Sequence, residues 1–202
     1  MMVGEKKKLV IKNIGKLYYA LLKTETDATA TYDPIVYLPG LREITVTPEE
    51  QTGEIYAEGM VWDADTELGR IGVSLDSTDI PLENYAEMLG KQMSSDGGVI
   101  DNVNDEAPYL ALMYEKKLTN GVMEYATLFK GKLATPEDKA KTREGNVEYQ
   151  TKPMEGTFMP LKTGDWRHII RSDSPNFDET TFLANWGEGK DVTLPTPETE
   201  GD

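Results

Sequence analysis

The chain has 202 residues, a formal charge of −15 and no cysteine. That length suits one substantial domain with room for a small appendage. The lack of thiols excludes disulfides, thiolate metal sites and thiol nucleophiles, and the acidic balance argues against a nucleic-acid grip, which needs clustered lysine and arginine.

No apolar run approaches the ~20 residues of a membrane helix, so no membrane anchoring is expected. The start, M-M-V-G-E-K-K-K-L-V-I-K, is basic but has no signal-type hydrophobic stretch, which predicts synthesis in the cytosol. Charge is uneven along the chain. Residues 5–12 carry four lysines against one glutamate, and the stretch from Asp173 onward carries one lysine against eight acids. Head-to-tail association would match such ends, but solvated termini are the commoner reading.

Residues 9–12 and 17–23 are apolar segments separated by Asn13 to Lys16, and the adjacent Tyr18 and Tyr19 favour a strand in the second. Residues 24–34 read as a loop, with Pro34 holding Asp33 extended. A strand pattern returns at 41–47, and Pro48 ends it. Residues 53–59 and 67–76 read as further strands, the second with Ile71, Val73 and Leu75 on one face. Gly69 and Gly72 inside it signal a bulge or a close backbone approach.

The clearest helix signal lies at 79–90. Asp79 is placed to cap it, Pro81 suits a first turn, Leu82, Tyr85, Ala86 and Leu89 form one stripe, and Gly90 stands at the C-terminal cap. A turn and a short strand at 99–101 follow. Next comes a hairpin over 107–132, turning at Thr119-Asn120-Gly121. Alternation sends Tyr109, Ala111 and Met113 to one face and Leu110, Leu112 and Tyr114 to the other. Both faces are apolar, so both need cover: one can line the domain core, and the helix or a neighbouring subunit is the expected cover of the other.

Residues 134–146 are charged, without apolar anchors other than alanines, and read as an exposed loop. Residues 147–151 and 155–159 read as strands around Pro153, 166–170 as another, and 178–186 as a short capped helix. The remaining end is acidic and rich in proline and glycine, a composition that does not fold alone. Many short strands with one good helix predict a mainly β fold, an antiparallel β-sandwich or barrel with one flanking α-helix. Residues 1–175 are expected to form a single β domain with an N-terminal arm and long loops at 24–40, 50–66 and 134–146. Residues 176–202 form a C-terminal extension, a short helix and then an acidic tail. The core candidates are Leu82, Tyr85, Leu89, Leu110, Leu112, Tyr114 and Leu128.

Chemistry has no clear address. His168 is the only histidine, and no nucleophile signature accompanies it, so it reads as a surface or packing residue. Asp63, Asp65 and Glu67 alternate like the start of a calcium loop, but Leu68 stands where that loop needs glycine and Ser74 where it needs glutamate; a solvated turn is the default. No aromatic cluster marks a sugar groove around a carboxylate pair. No glycine loop is spaced for phosphate, and Trp62, Trp166 and Trp186 read as packing residues. No cofactor, metal or catalytic residue is therefore expected, which points to a binding or assembly protein. Free sheet edges invite pairing with another chain, and a closed ring of copies satisfies them.

Ordered blocks of the sequence resemble a known family. They are L-Y-Y-A from Leu17, E-I-Y-A-E from Glu54, and L-G-R-I-G-V-S-L-D-S-T-D-I-P from Leu68, leading into the helix that ends Leu89-Gly90. Then come A-P-Y-L-A-L from Ala107, L-F-K-G-K-L from Leu128 with Thr135-Pro136-Glu137, E-Y-Q-T from Glu148 and Gly156-Thr157-Phe158. Together they cover most of residues 14–160 and resemble the major tail proteins of long-tailed phages, the phi13-type group above all. The acidic C-terminal tail has no counterpart in that resemblance.

The resemblance implies a tail-tube-like β fold and a structural virion protein made in the bacterial host cytoplasm. It implies copies that form hexameric rings and stack into a tail tube, with tape-measure and tail-completion proteins as partners and double-stranded DNA as a non-adhering cargo. A loop or terminal arm would bridge the rings. The assembly candidates are Pro136, Glu137, Asp138, Lys139, Lys141 and Arg143, with 24–40 and 50–66 as rival segments and either end as the arm. Deleting 136–144 is expected to leave a folded monomer that no longer polymerises. Duplex DNA carries a negative charge per ~1.7 Å of axis, so an acidic wall would let it slide; acidic composition fits plain solubility equally. The alternatives are a β-sandwich binding module for glycan or protein, and a β-sandwich enzyme with a close carboxylate pair in a cleft.

Overall fold

The computed structural model describes residues 9–57, 60–138, 152–175, 177, 178, 180 and 182, with the backbone alone at 54–57, 61–65 and 152. In chain order the elements are β1 (Ile11–Glu25), β2 (Ala30–Tyr32), β3 (Val36–Leu38), β4 (Leu41–Ala57), β5 (Met60–Ser77), α1 (Leu82–Leu89), β6 (Gln92–Met93), β7 (Val99–Ile100), β8 (Leu110–Leu118), β9 (Met123–Leu133), β10 (Lys152–Phe158) and β11 (Arg167–Arg171). The fold is mainly β, antiparallel, with one helix. The large sheet runs β2-β1-β8-β9-β10-β5-β4, with β3 also on β1 and β11 also on β9, while β6 and β7 make a separate small hairpin.

Leu17 and Tyr19 of β1, Leu38 of β3, Val73 and Leu75 of β5, Leu112 of β8, Leu128 of β9 and Phe158 of β10 share one core. These strands come from both ends of the order, so the sheet curls over on itself. Met88 and Leu89 of α1 join the same core, and the Tyr19 hydroxyl donates to Glu87 Oε2 of the helix at 2.5 Å.

The β8–β9 hairpin turns through Asn120 and Gly121, both at positive φ, the conformation asparagine and glycine tolerate best. Its two apolar faces are both covered, and by different things. Leu110, Leu112 and Tyr114 face the curled core; Ala111, Met113 and Tyr125 face a second cluster with Tyr18, Ala20, Tyr32 and Ile35. The helix lies on the core side and not, as expected, over the face away from the core. The second face is covered by residues around 30–35 and by Phe177 and Phe182 of the C-terminal segment, which pack on the Tyr125 ring at centroid distances of 5.6 and 4.7 Å.

Several local expectations change. Residues 9–23 are not two segments: β1 runs unbroken from Ile11 to Glu25, with irregular pairing near Asn13 and between Ile14 and Leu17. A Cβ on Gly15 would meet Glu115 Cβ at 2.7 Å, so glycine permits that close approach. Residues 24–40 hold β2 and β3 rather than a plain loop. Pro48 does not end its strand, because β4 is an edge strand and its missing N–H is not needed there. The pairing shifts between Pro48 and Glu50, setting Gly69 and Arg70 against Glu49 alone; this is the bulge that Gly69 signalled. Pro153 likewise sits inside β10, where β5 is the paired neighbour and β9 joins only from Gly156 on.

The helix is shorter than expected. Its N-cap is Pro81 and no side chain caps it, so Asp79 does not. Gly90 closes it in the left-handed conformation. Of the core candidates, Leu89, Leu110, Leu112, Tyr114 and Leu128 are buried and Tyr85 is half-buried against the core. Leu82 is 56% exposed: it stands in the first helical residue, where the stripe has turned away from the sheet. The strand expected at 147–151 and most of the helix at 178–186 lie outside the described residues. Within the latter, Phe182 N–H donates to the Asp178 carbonyl at 2.9 Å and Asp178 Oδ1 accepts from Thr180 N–H at 3.1 Å.

Candidate functional site

Among the described residues, the surfaces open to function include sheet edges, a ribbon and a groove. β4 ends the strand order on one side, β2 and β3 on the other, and β11 pairs with β9 alone. The longest of these edges belongs to β4. β10 pairs with β5 only over residues 71–77. Beyond that point, residues 60–68 of β5 pair, among the described residues, with residues 50–57 of β4 alone. The two strands thus leave the sheet as a two-stranded ribbon, spanning about 27 Å at ~3.3 Å per residue.

Residues 47–68 hold seven acids and no lysine or arginine, and Ile55, Tyr56, Val61 and Trp62 gather toward the tip. A two-stranded ribbon is marginal in water by itself. Around its base, Arg70 Nε donates to both carboxylate oxygens of Glu49 at 2.9 Å. Proline, paired glutamates and a bulge at the middle of this edge are devices that prevent indiscriminate strand addition.

The ribbon corrects the expected loop at 50–66 and the turn reading of residues 63–67. Asp63, Asp65 and Glu67 lie along an extended strand opposite Ile55, Gly53 and Gln51. Strand geometry strings such residues out about 6.6 Å apart rather than wrapping them around one centre. Among the described residues no group of three or more histidines or acids could hold a metal ion. A sequence signal for the ribbon existed: two β-prone runs flank Glu58-Gly59, a hairpin pattern.

A groove of about 490 Å³ opens beside the start of α1. Ile80, Leu82, Tyr85 and Pro136 give it an apolar floor, and Asp79, Asp101, Glu137 and Asp138 line it with carboxylates. Lys91 reaches Asp101 in an ion pair. Three of the assembly candidates, Pro136, Glu137 and Asp138, therefore share this groove with the helix. Lys139, Lys141 and Arg143 lie outside the described residues. The groove combines segments far apart in sequence, so no spacing in the sequence announced it.

Two ionic locks hold the sheet's periphery. Glu124 of β9 is buried between Lys116 Nζ at 3.3 Å and Arg171 Nε at 2.8 Å, pinning β8 and β11 to it. Burial alone would raise the Glu124 carboxyl; the hydrogen bonds and charges of Arg171 and Lys116 outweigh it and hold it below the usual glutamate range. Glu25 behaves alike: burial raises it, but Lys130 Nζ at 2.6 Å and the Lys162 N–H at 2.8 Å bring it down.

His168 sits half-buried in β11 opposite Thr127, and burial lowers its imidazole's proton affinity. Among the described residues no carboxylate hydrogen-bonds to it. Trp166 packs partly against the core, with the Arg167 guanidinium 4.3 Å from its ring centre. The Trp62 side chain and Trp186 lie outside the described set. No protein-family model matches the chain, and no curated protein matches it.

Proposed function

We propose that the chain is a structural, non-catalytic protein whose copies associate into rings and stacked tubes, in the manner of a long-tailed phage tail-tube protein. One observation carries the reading: the β4–β5 hairpin leaves the sheet as a ribbon whose strands, among the described residues, pair only with each other, and its sequence places Ile55, Tyr56, Val61 and Trp62 on either side of the turn. A second copy gives that ribbon the partner a lone two-stranded hairpin lacks. The free edges of β4, β3 and β11 supply lateral contacts, and closure of the rotation turns lateral contacts into a ring.

The charge supports a conduit for DNA. Six copies in a ring carry six times the −15 of one chain, and an acidic wall repels a polyanion that a basic wall would trap. The blocks resembling phi13-type major tail proteins run through β1, the β4–β5 hairpin, α1, β8, β9 and β10, the elements that build this architecture.

Negative-stain electron microscopy of the purified chain, alone and with a tape-measure protein, tests the reading. Rings or tubes of constant bore are expected. A discrete monomer or trimer that binds a glycan would replace it with the binding-module reading.

A further inference from the structure

We propose, on the self-assembling reading of the chain, that the groove beside α1 receives the basic N-terminal segment of a second copy, residues 6–11. That segment reads Lys6-Lys7-Lys8-Leu9-Val10-Ile11. Its chemistry matches the groove in two respects. Three lysines face the rim carboxylates Asp79 and Asp138. The apolar residues that follow match the floor: Val10 and Ile11 are 62% and 57% exposed on this chain, and Leu82 in the groove is 56% exposed. Apolar contact supplies affinity while the charges set register and partner.

Covalent reach decides that the groove belongs to another copy. Val10 is tied to the β8–β9 turn: its N–H donates to Thr119 Oγ1 at 3.2 Å and its carbonyl accepts from Thr119 N–H at 2.9 Å. The groove wall at 135–138 follows the far end of β9, beyond Leu133. From Met123 to Leu133 the strand covers about 33 Å. Lys6 lies four residues from Val10, a reach of at most about 14 Å. The lysines therefore cannot fold back into their own groove, however the chain continues before them. Segment and groove stand at opposite ends of the molecule, so the contact joins copies head to tail.

Two measurements test it. In the first, a labelled peptide of residues 1–12 is titrated, by fluorescence anisotropy, with the full chain carrying Lys6→Glu, Lys7→Glu and Lys8→Glu, whose own segment no longer competes. Saturable binding is expected, weakened at least about tenfold when Asp79→Lys and Asp138→Lys are added. Raising ionic strength from about 0.05 M to about 0.5 M weakens it similarly. No binding, or equal binding to the reversed groove, overturns the proposal.

In the second, sedimentation velocity follows self-association of full-length variants. The lysine reversals and the aspartate reversals each reduce it, and the combination restores it; a combination no better than either set overturns the docking. Tubes indifferent to both sets would reject the docking and keep the tube. Peptide binding without tubes would keep the docking and reject the tube.

Discussion

Leu82 and Leu112 are the same residue with opposite fates. Leu112 lies between Tyr19 of β1 and Leu128 of β9 and is fully buried. Leu112→Asp places a carboxylate there without a partner, a penalty of several kcal/mol against a total stability of about 5–15 kcal/mol. Soluble folded protein is expected to disappear, whereas Leu82→Asp keeps its yield and its melting temperature within a few degrees; circular dichroism of the soluble fraction decides. Glu124 and Glu25 make a second prediction, on pH. Their folded carboxyls titrate below the ordinary glutamate value of about 4.5. A group depressed in this way contributes stability that is present above its unfolded value and is lost as pH falls through its folded value. The urea midpoint should therefore decline from about pH 4.5 downward. Glu124→Gln lowers the midpoint at pH 7 and flattens the acid decline. An unchanged acid limb would show that the Lys116–Glu124–Arg171 lock does not contribute.

At the scale of elements, the ribbon and the segment after β9 make separable demands. Replacing residues 53–65 with Asn-Gly joins Thr52 and Thr66, which already oppose each other, through a turn that suits paired strands. None of the described core residues lies within 53–65, so a folded monomer is expected with a melting temperature within a few degrees of the parent. The same chain should form no tubes under the microscope. Deleting 136–144 removes one wall of the groove and is expected to give the same phenotype by another route. If either deletion still yields tubes of normal length, that segment has no part in stacking. The elements also show how far local rules go. Gly90 closes α1 and Gly69 marks its bulge, because a left-handed or crowded backbone restricts residue type on the spot. Pro48 and Pro153 misled because proline's cost depends on how many neighbours a strand has at that position.

At the scale of the whole molecule, both apolar faces of the hairpin find cover. One face closes on the curled sheet and α1, and the other is strapped by Phe177 and Phe182. The two phenylalanine rings lie 5.2 Å apart; Phe177 stacks on Tyr125 and Phe182 packs on it at a tilt. The C-terminal extension is therefore attached to the domain at its beginning. Replacing both phenylalanines with serine removes about 1–3 kcal/mol of apolar burial, since both are only half-buried. A lower urea midpoint and stronger binding of an apolar dye are the expected results. Unchanged values would mean the second face needs no strap.

The sequence by itself determined what is local. Period-two alternation placed the centre of β5 and both apolar faces of β8, left-handed glycine placed the end of α1, and composition removed thiol chemistry. Only the tertiary structure decided which body covers each face, that 50–66 is a ribbon, that Leu82 is outside the core, and that 79–85, 101 and 135–138 form one groove. The physical reason is distance along the chain. Contacts such as Glu25 with Lys130 or Tyr19 with Glu87 join segments far apart in sequence, and residue type at one position carries no record of what a distant segment brings against it.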